Sequence, residues 1–392
     1  MNLLSGNKIE NVLILQGGGS LGAFACGVFK AVVKKGIKID IVSGTSIGGV
    51  NAAIIAGSVD HDHPELELEQ FWLELAEGSM ELTSPLVQLL LRESAVQSED
   101  TRSQLTAEDR INPMLNTISS VTFGNDKFFL PRWRPDYALK DPQYFTPFSW
   151  TYVYDHSPLV KTLQKYIDFN KLQPAGKSYA RLIITAVNIL TAEPLTFDCA
   201  NQQITPRHIL ATASYPSYNF PWTEVEKGIF AWDGGLLSNT PFAEVIDASP
   251  VIDKRLFFVE NYPRKIEKLP ENLHEVYHRT RDIMFSDKSK SSIKMSRVIT
   301  RYLKYIEELY QVIQNNLDLE KIDKQRLESI RKTYRKVKHE RGAQIKQIFR
   351  VTRDERIPRL YENTDFSKST IKESINDGES KANEVLAKIK AY

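Results

Sequence analysis

Residues 38–48 read KIDIVSGTSIG, a strand-like run that leads into the pentapeptide Gly44-Thr45-Ser46-Ile47-Gly48. A helix-like segment, residues 50–56, follows directly. A serine between small residues, at a turn from strand to helix, is the G-x-S-x-G pattern of a nucleophile elbow. The turn is so sharp that its neighbours must be tiny, and it places the serine Oγ at a helix amino terminus, where negative charge is favoured. The pattern predicts Ser46 as a nucleophile, with a glycine-rich turn that happens to contain serine as the alternative.

A glycine-rich loop lies upstream of this elbow. Residues 11–16 predict a buried strand, which runs into Gly17-Gly18-Gly19-Ser20-Leu21-Gly22 and then into a helix from Ala23 to about Lys35. Consecutive glycines let backbone N–H groups point at one spot, as an oxyanion hole requires. The loop also satisfies the dinucleotide pattern G-x-G-x-x-G, with Asp40 about where a ribose-binding acid lies. The second motif decides between the two, because a dinucleotide-binding domain does not need a serine elbow.

A third motif lies far downstream, where the strand-like segment 229–232 ends in Asp233-Gly234-Gly235. A carboxylate at the carboxyl end of a strand fits a general base that is held beside a nucleophile. Asp-Gly is also a strongly favoured turn dipeptide, so the segment taken alone favours a plain turn.

The three motifs, in this order, resemble those of the patatin-like phospholipase family. The elbow follows the glycine loop by one helix and one strand, and the aspartate comes much later. The segment 211–216 with Phe220-Pro221 is similar to the Ala-Ser-x-x-Pro-x-x-Phe segment of bacterial members. The resemblance covers residues 10–260. It implies an α/β fold of three layers, α/β/α, around a mainly parallel central sheet, with a helical C-terminal region added.

The resemblance also implies a chemistry, that of a phospholipase A or lysophospholipase type of serine lipid acyl hydrolase. Ser46 would be the nucleophile and Asp233 its base, a dyad rather than a Ser–His–Asp triad. The N–H groups of Gly17, Gly18 and Gly19 would form the oxyanion hole. The substrate would be a fatty-acyl ester of a lipid, and neither a metal nor an organic cofactor is implied.

Two positions depart from the family pattern. Gln16 stands where many members carry an acid, and Leu21 stands where many carry Arg or Lys. The backbone donors survive this change, whereas a positive charge that could assist phosphate binding does not. Hydrolysis of an acyl ester is therefore a firmer expectation than a preference for phospholipids.

The seven histidines offer two competing sites. His274 or His278 would complete a triad in the order Ser–Asp–His, although both lie in a charged, helical-looking segment. The same segment, His274-Glu275-Val276-Tyr277-His278, matches the H-E-x-x-H zinc helix, but no third ligand motif stands nearby. A solvated helix face is the interpretation that the charged neighbours favour.

Composition bounds the remaining possibilities. The 392 residues are 42% hydrophobic and 26% charged, and a net charge of +2 argues against general nucleic-acid binding. Two cysteines are too few for a disulfide framework. Residues 1–8 have no signal-peptide pattern and no run approaches the ~20 apolar residues of a membrane span, so a cytoplasmic protein is expected.

We predict a patatin-like catalytic domain at residues 8–262 and a charged helical region at residues 263–392. The domain would contain an insertion at residues 61–174, whose aromatic and proline-rich part near Trp133 forms either a flap over the site or an irregular loop held by its own aromatics. The polar tail, residues 367–383, predicts loose order, with a short final helix.

Residues 302–350 are expected to be helical. From 301 to 350 there are 13 Lys/Arg and 7 Asp/Glu, and apolar residues recur with helical spacing at 302, 306, 309 and 313 and again at 327, 330, 334 and 337. Such basic helices could rest on an anionic membrane surface, pack on the catalytic domain or pair as a coiled coil.

Three other functions use the same features differently. An acyltransferase would pass the acyl group from Ser46 to an alcohol or thiol instead of water. A nucleotide-binding oxidoreductase would use residues 17–22 for a pyrophosphate. A catalytically idle protein would bind lipid through its C-terminal helices. The oligomeric state is left open by the sequence.

Overall fold

The computed structural model describes residues 9–79, 107–316, 323–355 and 362–388. The expectations for the amino-terminal residues 1–8 and for residues 80–106 of the insertion lie outside the described residues. So do the parts of the C-terminal prediction that concern residues 317–322, 356–361 and 389–392.

The described residues form ten strands and eleven α-helices. The strands are Ile9–Leu15 (β1), Ile41–Gly44 (β2), Leu130–Pro131 (β3), Tyr154–Asp155 (β4), Arg181–Asn188 (β5), Pro194–Asp198 (β6), Thr223–Glu226 (β7), Ile229–Asp233 (β8), Asp253–Glu260 (β9) and Ile345–Thr352 (β10). The helices are Ala23–Lys34 (α1), Ile47–Gly57 (α2), Pro64–Glu77 (α3), Ala107–Phe123 (α4), Pro158–Tyr166 (α5), Pro206–Thr212 (α6), Phe242–Ala248 (α7), Leu273–Phe285 (α8), Lys290–Asn316 (α9), Lys324–Arg341 (α10) and Lys368–Leu386 (α11).

A mainly parallel sheet forms the centre of the molecule, in the order β10-β9-β1-β2-β5-β8-β7, with β6 paired to β5. The pairs from β10 to β5 are parallel, while β6, β7 and β8 join through antiparallel pairs. Alternate residues of a strand point to opposite faces. Leu13 and Leu15 of β1 therefore pack into a core with α1, α2, α3 and α11, whereas Val12 and Ile14 pack with α7 and the start of α9. The expected three-layer α/β/α fold is confirmed.

The sheet brings the three motifs to one edge. Leu15 is aligned with Gly44 in the parallel β1–β2 pair, so the glycine loop and the elbow leave the sheet side by side. Asp233 ends β8 opposite Ala186 of β5. Thr45 and Thr185 tie the elbow to β5 through their hydroxyl groups, 2.8 Å apart.

The C-terminal region contains a strand that the sequence analysis did not expect. The helix predicted for residues 302–350 ends at Arg341, and Ile345–Thr352 instead pairs in parallel with β9. The prediction of loose order for residues 367–383 is also wrong. Those residues belong to α11, which buries Ile371, Ile375 and Ala382. The division into a domain at residues 8–262 and a region at residues 263–392 stays a prediction.

Helices α1 and α11 pack closely because each offers a glycine to the other. A Cβ atom at Gly27 would overlap the carbonyl oxygen of Ile375, and one at Gly378 would overlap that of Phe24. The two backbones thus touch where any larger residue would hold them apart. This contact fixes α11 over the same face of the sheet as α2 and α3.

The aromatic part of the insertion is irregular, with short helical turns at Pro135–Tyr137 and Pro147–Ser149. Its own side chains hold it down: the Arg132 guanidinium lies 4.5 Å from the ring centre of Trp150 and forms an ion pair with Asp141. Phe128 is the residue of this segment that reaches the site described below.

Candidate active site

Ser46 adopts a backbone conformation that few residues other than glycine tolerate, with φ 57° and ψ −133°. It is the residue before α2, and its N–H donates to Thr212 Oγ1 at 3.1 Å. A Cβ atom at Gly44 would overlap the carbonyl oxygen of Gly48, and one at Gly48 would overlap that of Leu15. The small neighbours that the sequence predicted are therefore required by this turn.

The glycine loop lies directly against Ser46. A Cβ atom at Gly17 would come within 2.6 Å of Ser46 Cβ, so glycine alone allows this approach. Gly18 and Gly19 have φ 152° and 59°. Among the described residues, neither the Gly18 N–H nor the Gly19 N–H has a hydrogen-bond acceptor, and both glycines line the cavity beside Ser46. The Gly17 N–H differs, because it donates to Asn239 Oδ1 at 3.0 Å.

Gln16 holds the glycine loop in place through buried hydrogen bonds of its side chain. Its Nε2 donates to Thr240 Oγ1 at 2.8 Å, and its Oε1 accepts from the Asn261 N–H at 3.0 Å. Asn261 Nδ2 in turn donates to the carbonyl oxygens of Gln16 and Gly17, at 3.2 and 3.1 Å. A neutral amide that both donates and accepts suits this buried position, which accounts for Gln16 in place of an acid.

Asp233 is fully buried beside Ser46. Its Oδ1 accepts from the Gly235 N–H at 2.7 Å, while Oδ2 has no hydrogen-bond partner of normal geometry among the described residues. Burial raises the pKa of this carboxyl to about 7, and the Gly235 N–H and the Ser46 hydroxyl act in the opposite direction. A carboxyl group poised near neutrality next to a serine hydroxyl has the properties of a general base.

A cavity of about 50 Å³ lies over Ser46 and Asp233. That volume holds a few water molecules but not an acyl chain. Among its described walls, Asp233 is the one charged residue. The cavity is lined by Gly18, Gly19, Ser46, Ile47, Phe128, Ala213, Tyr215, Tyr218, Phe220, Asp233, Gly235, Asn239, Tyr262 and Phe285.

The histidine alternatives lie elsewhere. None of the histidines whose side chains are described lines the cavity. His278 is buried, and its Nε2 lies 2.8 Å from Glu355 Oε1. Burial lowers its pKa, but hydrogen bonds to Glu355 and Glu362 outweigh this and raise the pKa to about 9. An imidazolium ion at neutral pH cannot accept the proton of a serine.

The zinc pattern is used for packing and helix capping. Glu275 accepts hydrogen bonds from the Glu271 N–H and from Asn272 Nδ2, at 2.8 and 2.9 Å. His278, Asp282 and Glu355 offer ligand atoms within 4.8 Å of one another. The Arg281 guanidinium, however, lies 2.9 Å from both His278 Nε2 and Asp282 Oδ1. A cation there would face a positive charge that already neutralises the cluster.

The nucleotide alternative also finds no support in the geometry. Asp40 precedes β2, and its Oδ2 accepts from the Asn11 N–H at 2.9 Å. It therefore lies at the amino ends of β1 and β2, whereas the glycine loop follows the carboxyl end of β1. An acid that binds a ribose must stand at the same edge as the loop that binds the pyrophosphate.

Sequence reasoning missed several residues that build the site. Asn239 fixes Gly17 and also donates from Nδ2 to the Phe285 carbonyl oxygen at 3.0 Å. Thr212 holds the elbow amide, and Tyr262 lies over Gly18. The segment 211–216 with Phe220, noted as a weaker family match, was the available signal for Thr212.

No helix within residues 9–79, 107–316, 323–355 and 362–388 is both long and apolar enough to span a bilayer.

Comparison with known proteins agrees with the motifs. The family model for patatin-like phospholipase matches residues 13–246. Patatin-like phospholipase domain-containing protein 7 of Rattus norvegicus is 32% identical over 91 residues, which are 22% of this chain and 6% of the relative. Lysophospholipase nte1 of Aspergillus terreus is 50% identical over 48 residues, 12% of this chain and 3% of the relative. The chain thus spans a small part of the length of these relatives.

Two solved structures show weaker similarity. VipD from Legionella pneumophila aligns with a TM-score of 0.37 and 13% identity, over 99% of this chain and 69% of that one. ExoU in its complex with SpcU, from Pseudomonas aeruginosa, aligns with a TM-score of 0.29 and 20% identity, over 69% of this chain and 46% of that one. The family model covers more than half of the chain and includes all three motifs, so the chain belongs to the patatin-like phospholipase family.

Proposed function

We propose that the protein is a serine lipid acyl hydrolase that cleaves fatty-acyl esters of phospholipids or lysophospholipids through Ser46 and Asp233. The observation that carries the proposal is the pairing of a strained serine with a fully buried carboxyl whose pKa is raised to about 7. A structural aspartate would gain from several hydrogen bonds, whereas Oδ2 of this one has none of normal geometry among the described residues.

The reaction proceeds in two halves. The Asp233 carboxylate takes the Ser46 hydroxyl proton as Oγ attacks the acyl carbon, and then gives that proton to the departing alcohol as the ester bond breaks. Asp233 next takes a proton from water, whose oxygen attacks the acyl-serine. The fatty acid leaves and Ser46 regains its proton, so the enzyme is unchanged.

In this mechanism, the N–H groups of Gly18 and Gly19 stabilise the oxyanion. The helix dipole of α2 adds to this field, because Ser46 stands at its amino terminus. Gly17 has a different part: its missing side chain lets the loop approach Ser46, while its N–H is held by Asn239. This assignment narrows the oxyanion hole from three expected donors to two.

Substrate entry requires the cavity to open, since its volume of about 50 Å³ excludes an acyl chain. The aromatic walls, among them Phe128, Phe220 and Phe285, suit an apolar chain once they part. Contact with a membrane through the basic helices α9 and α10 is the second part of the proposal. It is supported by the exposed side chains of Lys332, Arg335 and Lys336, which make α10 a cationic surface.

Labelling with a fluorophosphonate probe tests the proposal, because such probes react with activated serines. Wild type should be labelled, and Ser46→Ala should not. Asp233→Asn should lose labelling while it still unfolds in a cooperative melting transition. Thr45→Ser serves as the matched control, since it changes a neighbouring hydroxyl residue and should retain labelling. Wild type that stays unlabelled in the presence of lipid vesicles would refute the hydrolase function.

A further inference from the structure

Helix α8 exposes its apolar face and buries its charged one. His278 and Asp282 are buried, and the Arg281 side chain is 12% exposed. The opposite face is apolar and open to solvent. It consists of Leu273 (67% exposed), Val276 (44%), Tyr277 (62%), Ile283 (55%) and Met284 (52%). A surface helix normally shows the reverse arrangement, and an exposed patch of this kind marks an interaction site.

Ionic contacts fix this orientation. Arg281 pairs with Asp282 and Glu362, each at 2.9 Å, and lies 5.2 Å from the ring centre of Tyr262. His278 pairs with Glu355 at 2.8 Å. Rotating α8 to bury its apolar face would break the pairs of His278 with Glu355 and of Arg281 with Glu362, which is strongly unfavourable for buried charges. The apolar face is therefore presented to solvent in a stable way.

The exposed face borders the candidate active site. Phe285, the last residue of α8, lines the cavity, and its carbonyl oxygen is held by Asn239. Leu236 and Leu237 directly follow the cavity-lining Gly235 and are 40% and 51% exposed. Exposed apolar side chains therefore lie on two segments, residues 236–237 and helix α8, and each segment adjoins a residue that lines the cavity.

The charges around this face are mostly positive. Five exposed lysines and two exposed glutamates lie between residues 265 and 294 on the segments that flank α8. They are Lys265, Lys268, Lys288, Lys290 and Lys294, against Glu267 and Glu271. An apolar face bordered by lysines complements a surface that is apolar inside and negatively charged outside, which describes an anionic lipid bilayer.

We infer that the apolar face of α8 is the surface on which the protein rests on an anionic lipid bilayer, with the mouth of the Ser46 cavity against the lipid. The inference rests on the proposed lipid hydrolase function and adds the surface through which the site meets its substrate. It is distinct from the cationic surface on α10, because the apolar side chains of α8 would supply the binding energy here.

The test compares Val276→Gln/Ile283→Gln with a control, Leu139→Gln/Leu190→Gln, which removes two exposed leucines elsewhere. Vesicles of phosphatidylcholine mixed with phosphatidylserine are sedimented with each protein, and hydrolysis of a soluble short-chain ester is measured alongside. The α8 variant should bind vesicles about tenfold more weakly than wild type, because it loses two apolar contacts with the lipid. The control should bind like wild type, and both variants should keep the activity on the soluble ester.

Several outcomes would overturn the inference. These are wild type that does not bind the vesicles, an α8 variant that binds as well as wild type, and a control that loses binding to the same degree. Light scattering adds another: a wild-type dimer that the α8 variant converts to a monomer, at unchanged vesicle binding, would make the face an interface between copies. Wild type that binds through α8 but leaves the soluble ester intact would refute the proposed function and retain the surface.

Discussion

In the proposed mechanism, Asp233 has to meet two opposing requirements. A carboxyl group away from water holds its proton more tightly, yet a general base has to be free of it. With a pKa of about 7, the side chain is half ionised at neutrality, and its pKa is matched to proton transfer near that pH. In the proposed mechanism, about half of the protein would therefore carry the reactive carboxylate at neutral pH.

We expect the activity to rise with pH through about 7, since the carboxylate is the reactive form. Below that pH, kcat/KM for a soluble ester should fall about tenfold for each unit, because kcat/KM follows the ionised fraction of the free enzyme. A pH series of initial rates measures this. A profile that is flat between about pH 5 and 8 would contradict the assignment of Asp233 as the base.

Asp233→Asn should stabilise the protein above neutrality. Folding raises the pKa of Asp233 from 3.8 to about 7, so the folded state favours the protonated form. The folded state keeps its full stability at Asp233 below about pH 4, where the carboxyl is protonated in both states. This stability is lost as the pH rises through about 7, and the loss is about 4 kcal/mol in the free energy of unfolding for three pKa units. Asparagine avoids this cost because it cannot ionise.

Melting curves of Asp233→Asn and wild type at about pH 8 and about pH 5 measure the effect. The melting temperature of the variant should exceed that of wild type by more at the higher pH. Ser46→Ala is the control, since we expect it to be equally inactive and it leaves the carboxyl in place. A gain that is equal at both pH values would argue against a buried ionised carboxylate.

Local sequence marked those residues of the candidate site whose conformation is set by their neighbours in the chain. Ser46 and its flanking glycines make a turn that only a few residue types allow, and Asp233 ends a strand before two glycines. Asn239, Asn261 and Thr212 act through contacts with residues far away in the chain, so no nearby pattern marks them. The Gly17 N–H illustrates the limit, because its engagement by Asn239 could not be read from the glycine loop.

At the level of elements, the strands and helices that hold the site followed from periodicity and glycine signals. The strand at residues 345–352 did not follow from these signals, because Ile348, Phe349 and Val351 continue a basic segment with helical spacing. β10 lies at the edge of the sheet and pairs with β9 alone, so the evidence for it lies in a distant strand. Pairing with β9 decided the outcome. Helix α8 shows a second limit, since periodicity marks an apolar face without saying whether that face is buried.

Gly378→Ala should destabilise the protein even though alanine favours helices. A Cβ atom at Gly378 would overlap the Phe24 carbonyl oxygen, so α1 and α11 must move apart. We expect the free energy of unfolding to fall by about 1–3 kcal/mol, measured by urea denaturation. Asn376→Ala, on the exposed side of α11, is the control and should be neutral or slightly stabilising. A stabilised Gly378→Ala would disprove the close helix contact.

For the whole molecule, the membrane part of the proposal can be tested without removing the C-terminal region. Deleting residues 301–392 would also remove β10 and α11, which complete the sheet and the core. Loss of binding in such a truncated chain would then report unfolding. Substitutions of exposed residues on α10 change the charge of the surface and leave the sheet and the core in place.

Lys332→Gln/Arg335→Gln/Lys336→Gln should weaken binding to anionic vesicles about a hundredfold, from about 1 kcal/mol for each charge. The difference from wild type should shrink at high salt, because screening weakens the attraction. Lys35→Gln/Lys38→Gln/Lys161→Gln removes three exposed lysines elsewhere and should leave binding unchanged. Equal losses in the two triple variants would indicate a general charge effect instead of a specific surface.

The glycine loop depends on residues that lie much later in the sequence. Ser20 Oγ donates to the Glu362 carbonyl oxygen at 2.9 Å, and Gly19 lies against the Asn363 carbonyl group. A ribosome makes the glycine loop long before it reaches these supports, since 342 positions separate Ser20 from Glu362. A nascent chain that has not yet reached Glu362 therefore holds Ser46 beside a glycine loop that lacks these two supports. Under the proposed function, such a chain would gain its activity only after residues 362 and 363 have packed against the loop.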